Sequence, residues 1–100
     1  MDPVLTAEAR VATALAQRYM TQLCKHFEHR LPAQCGAAEG SVEFPYGVCR
    51  MAVPEPALLV LRAEAGDEAA LARLEHTVVR HLERFAFRDK PAIVWRRAAG

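Results

Sequence analysis

One hundred residues are enough for one domain with its own core, so neither a disulfide nor a metal is required as a staple. Hydrophobic residues at 52% and charged residues at 25% are ordinary globular values and exclude a disordered chain. A formal net charge of +1 excludes both a polyanion binder and an acidic mimic at the level of the whole chain.

Residues 8–13 (Glu-Ala-Arg-Val-Ala-Thr) fit a first strand or the opening turns of a helix, and six residues are too few to decide. Leu15, Tyr19, Met20, Leu23, Phe27 and Leu31 recur at spacings of three and four and predict a helix, which Pro32 stops. Residues 32–40, with Pro32, Gly36 and Gly40, read as a loop. Alternation then predicts strands over 41–44, 48–53 and 57–65. Pro45-Tyr46-Gly47 and Pro54-Glu55-Pro56 are the turns between them, with Gly47 free to take positive φ. Asp67 is placed to cap a second helix, whose stripe is Leu71, Leu74, Val78, Leu82 and Phe85. Asp89-Lys90-Pro91 closes it, and Ala92 to Arg96 forms a last strand with Ile93 and Trp95 on one face. The order (β)αβββαβ defines an α+β two-layer sandwich, a mostly antiparallel sheet with two helices on one face. A single domain over residues 1–100 with short flexible ends is expected.

Met1 to Thr6 has no basic start followed by an apolar run, so no secretory leader is read there. No stretch approaches the roughly 18 apolar residues of a membrane span. Three cysteines, an odd number without C-x-x-C spacing, point to free thiols in a reducing cytoplasm. From Arg80 to Arg97 basic residues dominate, a surface that meets either water or an anionic partner.

Several side chains could carry chemistry. Cys24 and His26 lie about 200° apart around a helix and cannot share an ion. His26 and His29 lack the i, i+4 spacing of zinc-binding helices, so no metal or other cofactor is expected. On the helical wheel His26 edges the first apolar stripe and His81 edges the second. Side-by-side helices therefore bring these imidazoles together in a crevice, where they either pack and donate one hydrogen bond each or orient a ligand. Tyr19, Cys49 and Arg84 are the other candidates for that crevice, although Cys49, beside Met51, also reads as a small core hydrophobe. Cys35, in the loop, is the thiol expected to react first. No nucleophile motif and no glycine-rich phosphate loop is present, so an enzyme built on the His and Cys residues is the rival reading.

The opposite sheet face carries Val48, Leu58, Val60 and Val94 among Arg50, Arg62 and Arg96. Such a face is expected to dimerise, dock a partner or hold an anionic ligand. It offers no aromatics for stacking bases, which argues against nucleic acid.

Arg18-Tyr19-x-x-Gln22-Leu23-Cys24-Lys25-His26-Phe27, Gly40-x-Val42-x-Phe44-Pro45-x-Gly47-x-Cys49, His81-Leu82-Glu83-Arg84-Phe85-Ala86-Phe87-Arg88 and Trp95 resemble the bacterial domain-of-unknown-function 2218 family over about residues 10–97. The family has no assigned activity. Similar domains occur alone or joined to flavin-dependent siderophore-interacting reductases, so the resemblance implies an accessory role in iron or siderophore handling. This chain has no reductase segment of its own. A purely structural dimerisation domain is the third alternative.

Overall fold

A computed structural model describes residues 4–97. Alternation decides the first element. Ala7, Ala9 and Val11 are buried while Glu8, Arg10 and Ala12 are not, and Leu5–Ala12 is strand β1. The segment open between strand and helix is therefore strand, and it starts earlier than residue 8. What settles it is tertiary: β1 pairs along its whole length with Leu58–Ala65 (β5), from Leu5↔Ala65 to Ala12↔Leu58. Flexible ends were expected, but that expectation falls partly outside the described residues, and from Leu5 the chain is ordered strand.

Helix α1 is Ala16–Glu28, shorter at both ends than the apolar spacing suggests. Thr13 Oγ1 accepts the Leu15 N–H at 3.1 Å and turns the chain before the helix. Arg30 and Leu31 both donate backbone N–H to the Phe27 carbonyl, ending the helix ahead of Pro32. The loop expected over 32–40 contains strand β2, Ala33–Cys35, and β3 starts within it at Glu39 and runs to Phe44. A three-residue strand has no period to detect. Only its pairing, Ala33↔Val42 to Cys35↔Gly40, defines it.

Strand β4, Gly47–Glu55, takes in Pro54 and Glu55, which were expected in the turn. Pairing with β5 is irregular between Ala52 and Glu55, so the proline sits where the ladder is already broken. Asp67 accepts the Ala70 N–H at 2.8 Å and caps α2, Glu68–Phe85, a contact that contributes about 1 kcal/mol. The helix stops before Asp89. Ala86 is its buried C-cap, and Lys90, at φ 46°, donates its N–H to the Ala86 carbonyl at 2.7 Å. The last strand, β6, is Trp95–Arg97, shorter than the expected 92–96 stretch and displaced toward the C-terminus.

The six strands form one antiparallel sheet in the order β2-β3-β4-β5-β1-β6, with both helices packed on one face. Leu23, Phe27, Leu71, Leu74, Val78 and Leu82 from the helices meet Val11, Val42, Cys49, Met51, Leu59 and Leu61 from the sheet in one apolar core. Arg97 of β6 forms ion pairs with Glu68 and Glu75, tying the edge strand to α2. No helix among the described residues is long and apolar enough to cross a membrane.

Candidate functional site

The apolar stripes turn α1 and α2 toward the same core, and this brings residues 26 and 81 to the seam between them. The His26 and His81 ring centroids are 4.9 Å apart, with planes inclined at 44°. Phe27 lies beneath, 4.8 Å from the His81 ring and 5.0 Å from Phe44. Phe85 closes the outer side, 5.8 Å from His26. The two imidazoles thus rest on an aromatic floor that continues through Phe44 to Tyr46. The edge-to-face contacts among these, Phe27 on Phe44 and His26 on Phe85, contribute about 0.5–1.5 kcal/mol each beyond area burial.

His81 Nδ1 lies 2.7 Å from the Thr77 carbonyl oxygen. A carbonyl only accepts, so Nδ1 carries the hydrogen, and in the neutral ring Nε2 presents a lone pair. Thr77 is itself held. Its hydroxyl donates to the Arg73 carbonyl at 2.9 Å and lies 3.0 Å from the Tyr46 hydroxyl, whose ring carries the Arg73 guanidinium 4.1 Å above it.

The pKa of His26 is lowered, first by burial, then by the charges of His81, Arg84, His29 and Arg30. The fold therefore disfavours its protonation, and the unfolded chain takes up the proton first. The stability this group contributes is complete above pH 6.5, the ordinary value, and is lost as pH falls below it. Urea midpoints measured from pH 7.5 to pH 5 should decline, and a His26→Gln variant should show a flatter decline. Equal slopes would contradict the assignment.

Of the other expected residues, Tyr19 and Cys49 lie away from the seam. Tyr19 is buried with its hydroxyl 3.3 Å from Asp89 Oδ2, and burial followed by the Asp89 charge raises its pKa. Cys49 is in the core, and burial pushes its thiol up to about 12, leaving it protonated and inert. Arg84 is exposed, and its charge reaches His26. The expectation of three free thiols is corrected. Cys24 and Cys35 form a disulfide with Cα atoms 5.8 Å apart, so Cys35 is not a reactive thiol. Reading 32–40 as a loop hid the cause, because β2 runs along the shoulder of α1 where Cys24 projects. Among the described residues, no three His, Cys, Asp or Glu side chains converge to hold a metal.

Two contributors were not anticipated. Thr77 fixes the His81 tautomer through a carbonyl, which carries no sequence signal. Asp89, read only as a helix stop, accepts hydrogen bonds from Thr13 and Tyr19 and pins the chain after α2 to the start of α1. Across the sheet, Val48, Leu58 and Val60 are half-buried on the open face, Arg50 and Arg62 are exposed there, and Val94 is exposed just before β6.

The fold defines the class: a small α+β domain with two helices laid on a six-stranded antiparallel sheet. The chain belongs to the family described as uncharacterized protein conserved in bacteria (DUF2218), which matches residues 8–96. A similar solved structure is the NMR structure of PA4090 from Pseudomonas aeruginosa. It is 27% identical, with a TM-score of 0.77 over 92% of this chain and 95% of that one. No curated protein matches the chain.

Proposed function

We propose that this domain is a binding or accessory module whose ligand sits at the His26–His81 seam. The observation that carries the reading is the Nδ1–H to Thr77 bond, which in the neutral ring leaves the His81 Nε2 lone pair unused beside a second imidazole whose protonation the fold disfavours. Neutral imidazoles each supply one acceptor, the aromatic floor supplies a flat apolar contact, and Arg84 supplies a positive charge at the rim. A planar, hydroxyl-bearing anionic ligand suits that set. The iron or siderophore setting rests on the family resemblance, and the chemistry of the seam supports a siderophore or its ferric complex as ligand. The cytoplasmic expectation rests on free thiols, and the Cys24–Cys35 disulfide removes that ground, so fractionation of the native protein into cytoplasm and periplasm decides the compartment. The enzyme reading is disfavoured because the only described cysteine outside a disulfide is Cys49, buried and protonated.

Thermal-shift titration with ferric siderophores and flavins tests the reading, because a ligand that binds only the folded state raises the melting temperature. At a ligand concentration of 100 times Kd the gain is about 2.7 kcal/mol. The expected result is a rise in the native protein that is absent in His81→Phe, with the variant's own melting temperature retained. No response to any ligand, or an undiminished response in the variant, would contradict it. A second reading, an interaction domain without a small ligand, is favoured by the composition of the open sheet face.

A further inference from the structure

The strand register places Ser41 beside Arg50, Arg50 beside Arg62, Arg62 beside Glu8, and Glu8 beside Arg96, in one outward-facing row across five strands. Directly opposed arginines on neighbouring strands repel. Glu64 offsets this by accepting Arg50 Nε at 3.2 Å on one carboxylate oxygen and Arg62 Nε at 3.1 Å on the other. Both guanidinium groups are thereby held by one edge, and among the described residues their terminal nitrogens have no acceptor of their own. Among the described residues Glu8, on the far side of Arg62, has only an exposed contact to Arg10 at 3.7 Å. Positive and negative groups therefore flank β5 at equal height, Arg50 on β4 and Glu8 on β1.

We propose that a second copy of this chain covers the face, related by a two-fold axis that lies between the two sheets and runs near β5. That axis carries β4 of one copy onto β1 of the other. Arg50 then meets Glu8 of the second copy, and the same pair forms again by symmetry. Val60 meets its own counterpart on the axis. Arg62 also meets its counterpart, but with its charge already answered by Glu64. Any other partner would need its own match to this row, whereas a second copy supplies it from residues present here. The footprint sets the strength. Five strands about 4.8 Å apart, contributing on average about 6 residues of about 3.3 Å, cover about 480 Å² per copy. The total, about 1,000 Å², is at the lower limit for a specific interface, so the dimer is weak and concentration-dependent. The proposal is independent of the histidine seam, which lies on the opposite side of the sheet.

Sedimentation equilibrium across a wide concentration range tests it. The native protein should dimerise reversibly, more weakly at high salt. Arg50→Glu and Glu8→Arg should each raise the dissociation constant at least tenfold, and the double exchange should recover it to within a few-fold. Because either exchange disturbs neighbours in the row, melting temperatures are measured alongside. Concentration-dependent amide shifts in the unmodified protein give an independent map, which should centre on β4, β5 and β1. A strict monomer at every concentration, or a dimer whose shifts fall on the helices, overturns the proposal. So does a double exchange no tighter than the single ones.

Discussion

Replacing Gly47 with alanine should destabilise the domain by about 3 kcal/mol, at the upper end of what overpacking a well-filled site costs. The glycine opens β4 immediately after the tight turn that follows Phe44. Sequence alone suggests a positive φ there, but the φ of Gly47 lies outside the left-handed region. The constraint is space. A Cβ at Gly47 would run into the Glu64 carbonyl oxygen and would meet Leu74 Cδ2 at 3.0 Å and Ala65 Cβ at 3.2 Å. The first of these is backbone of the central strand β5 and cannot swing aside, and Leu74 is fully buried under α2. Gly66 makes a matched control. A Cβ there meets nothing within 4 Å and its φ also lies outside the left-handed region, so Gly66→Ala should be neutral or stabilise by about 0.5 kcal/mol through the unfolded chain. Guanidinium midpoints at constant slope read both changes. Equal effects at the two positions would remove the packing explanation.

Reduction of the Cys24–Cys35 bond should lower stability by about 3 kcal/mol, the chain-entropy value for closing so short a loop. The two residues are 11 apart in sequence and join the buried side of α1 to edge strand β2. Among the described residues that strand pairs with β3 alone, so it depends on the cross-link more than any interior strand does. Reductant should shift the unfolding midpoint of the native protein and leave Cys35→Ser unmoved. Thiol titration of the folded, unreduced protein should find no accessible group, since Cys49 is buried, and one, Cys35, after reduction under native conditions, because Cys24 is buried like Cys49. A thiol that reacts without reductant, or a midpoint indifferent to it, would contradict the assignment. The sulfur of Cys35 lies 3.6 Å from Glu28 Oε2, so the carboxylate opposes the thiolate once the bond opens.

How much of this could be read from the residues depends on whether the signal was periodic or relational. The helix stripes are periodic over many turns. The wheel therefore placed His26 and His81 at facing edges, and the 4.9 Å ring separation is the structural counterpart of that reading. The meander β3–β4–β5 follows from alternation and turn residues in the same way. Strand β1 was ambiguous because six residues fit two periods, and its partner β5 lies some fifty positions away. Strand β2 is too short to have a period, so the disulfide it makes possible was hidden as well. The Thr77 carbonyl that sets the His81 tautomer, and the Asp89 carboxylate that joins Thr13 to Tyr19, act through backbone placement and long-range geometry. Neither residue type announces such a role locally. The charge row across the sheet lies between these cases, since its residues were recognised but their order depends on register.

The seam stands on the protonation pattern of two rings, and long-range proton–nitrogen NMR spectra of the imidazoles at pH 7.5 test it most directly. The geometry predicts that the neutral form of His81 carries its proton on Nδ1 and leaves Nε2 bare, together with ring-to-ring nuclear Overhauser contacts between His26 and His81. A proton on Nε2 of His81, or rings without mutual contact, would contradict it.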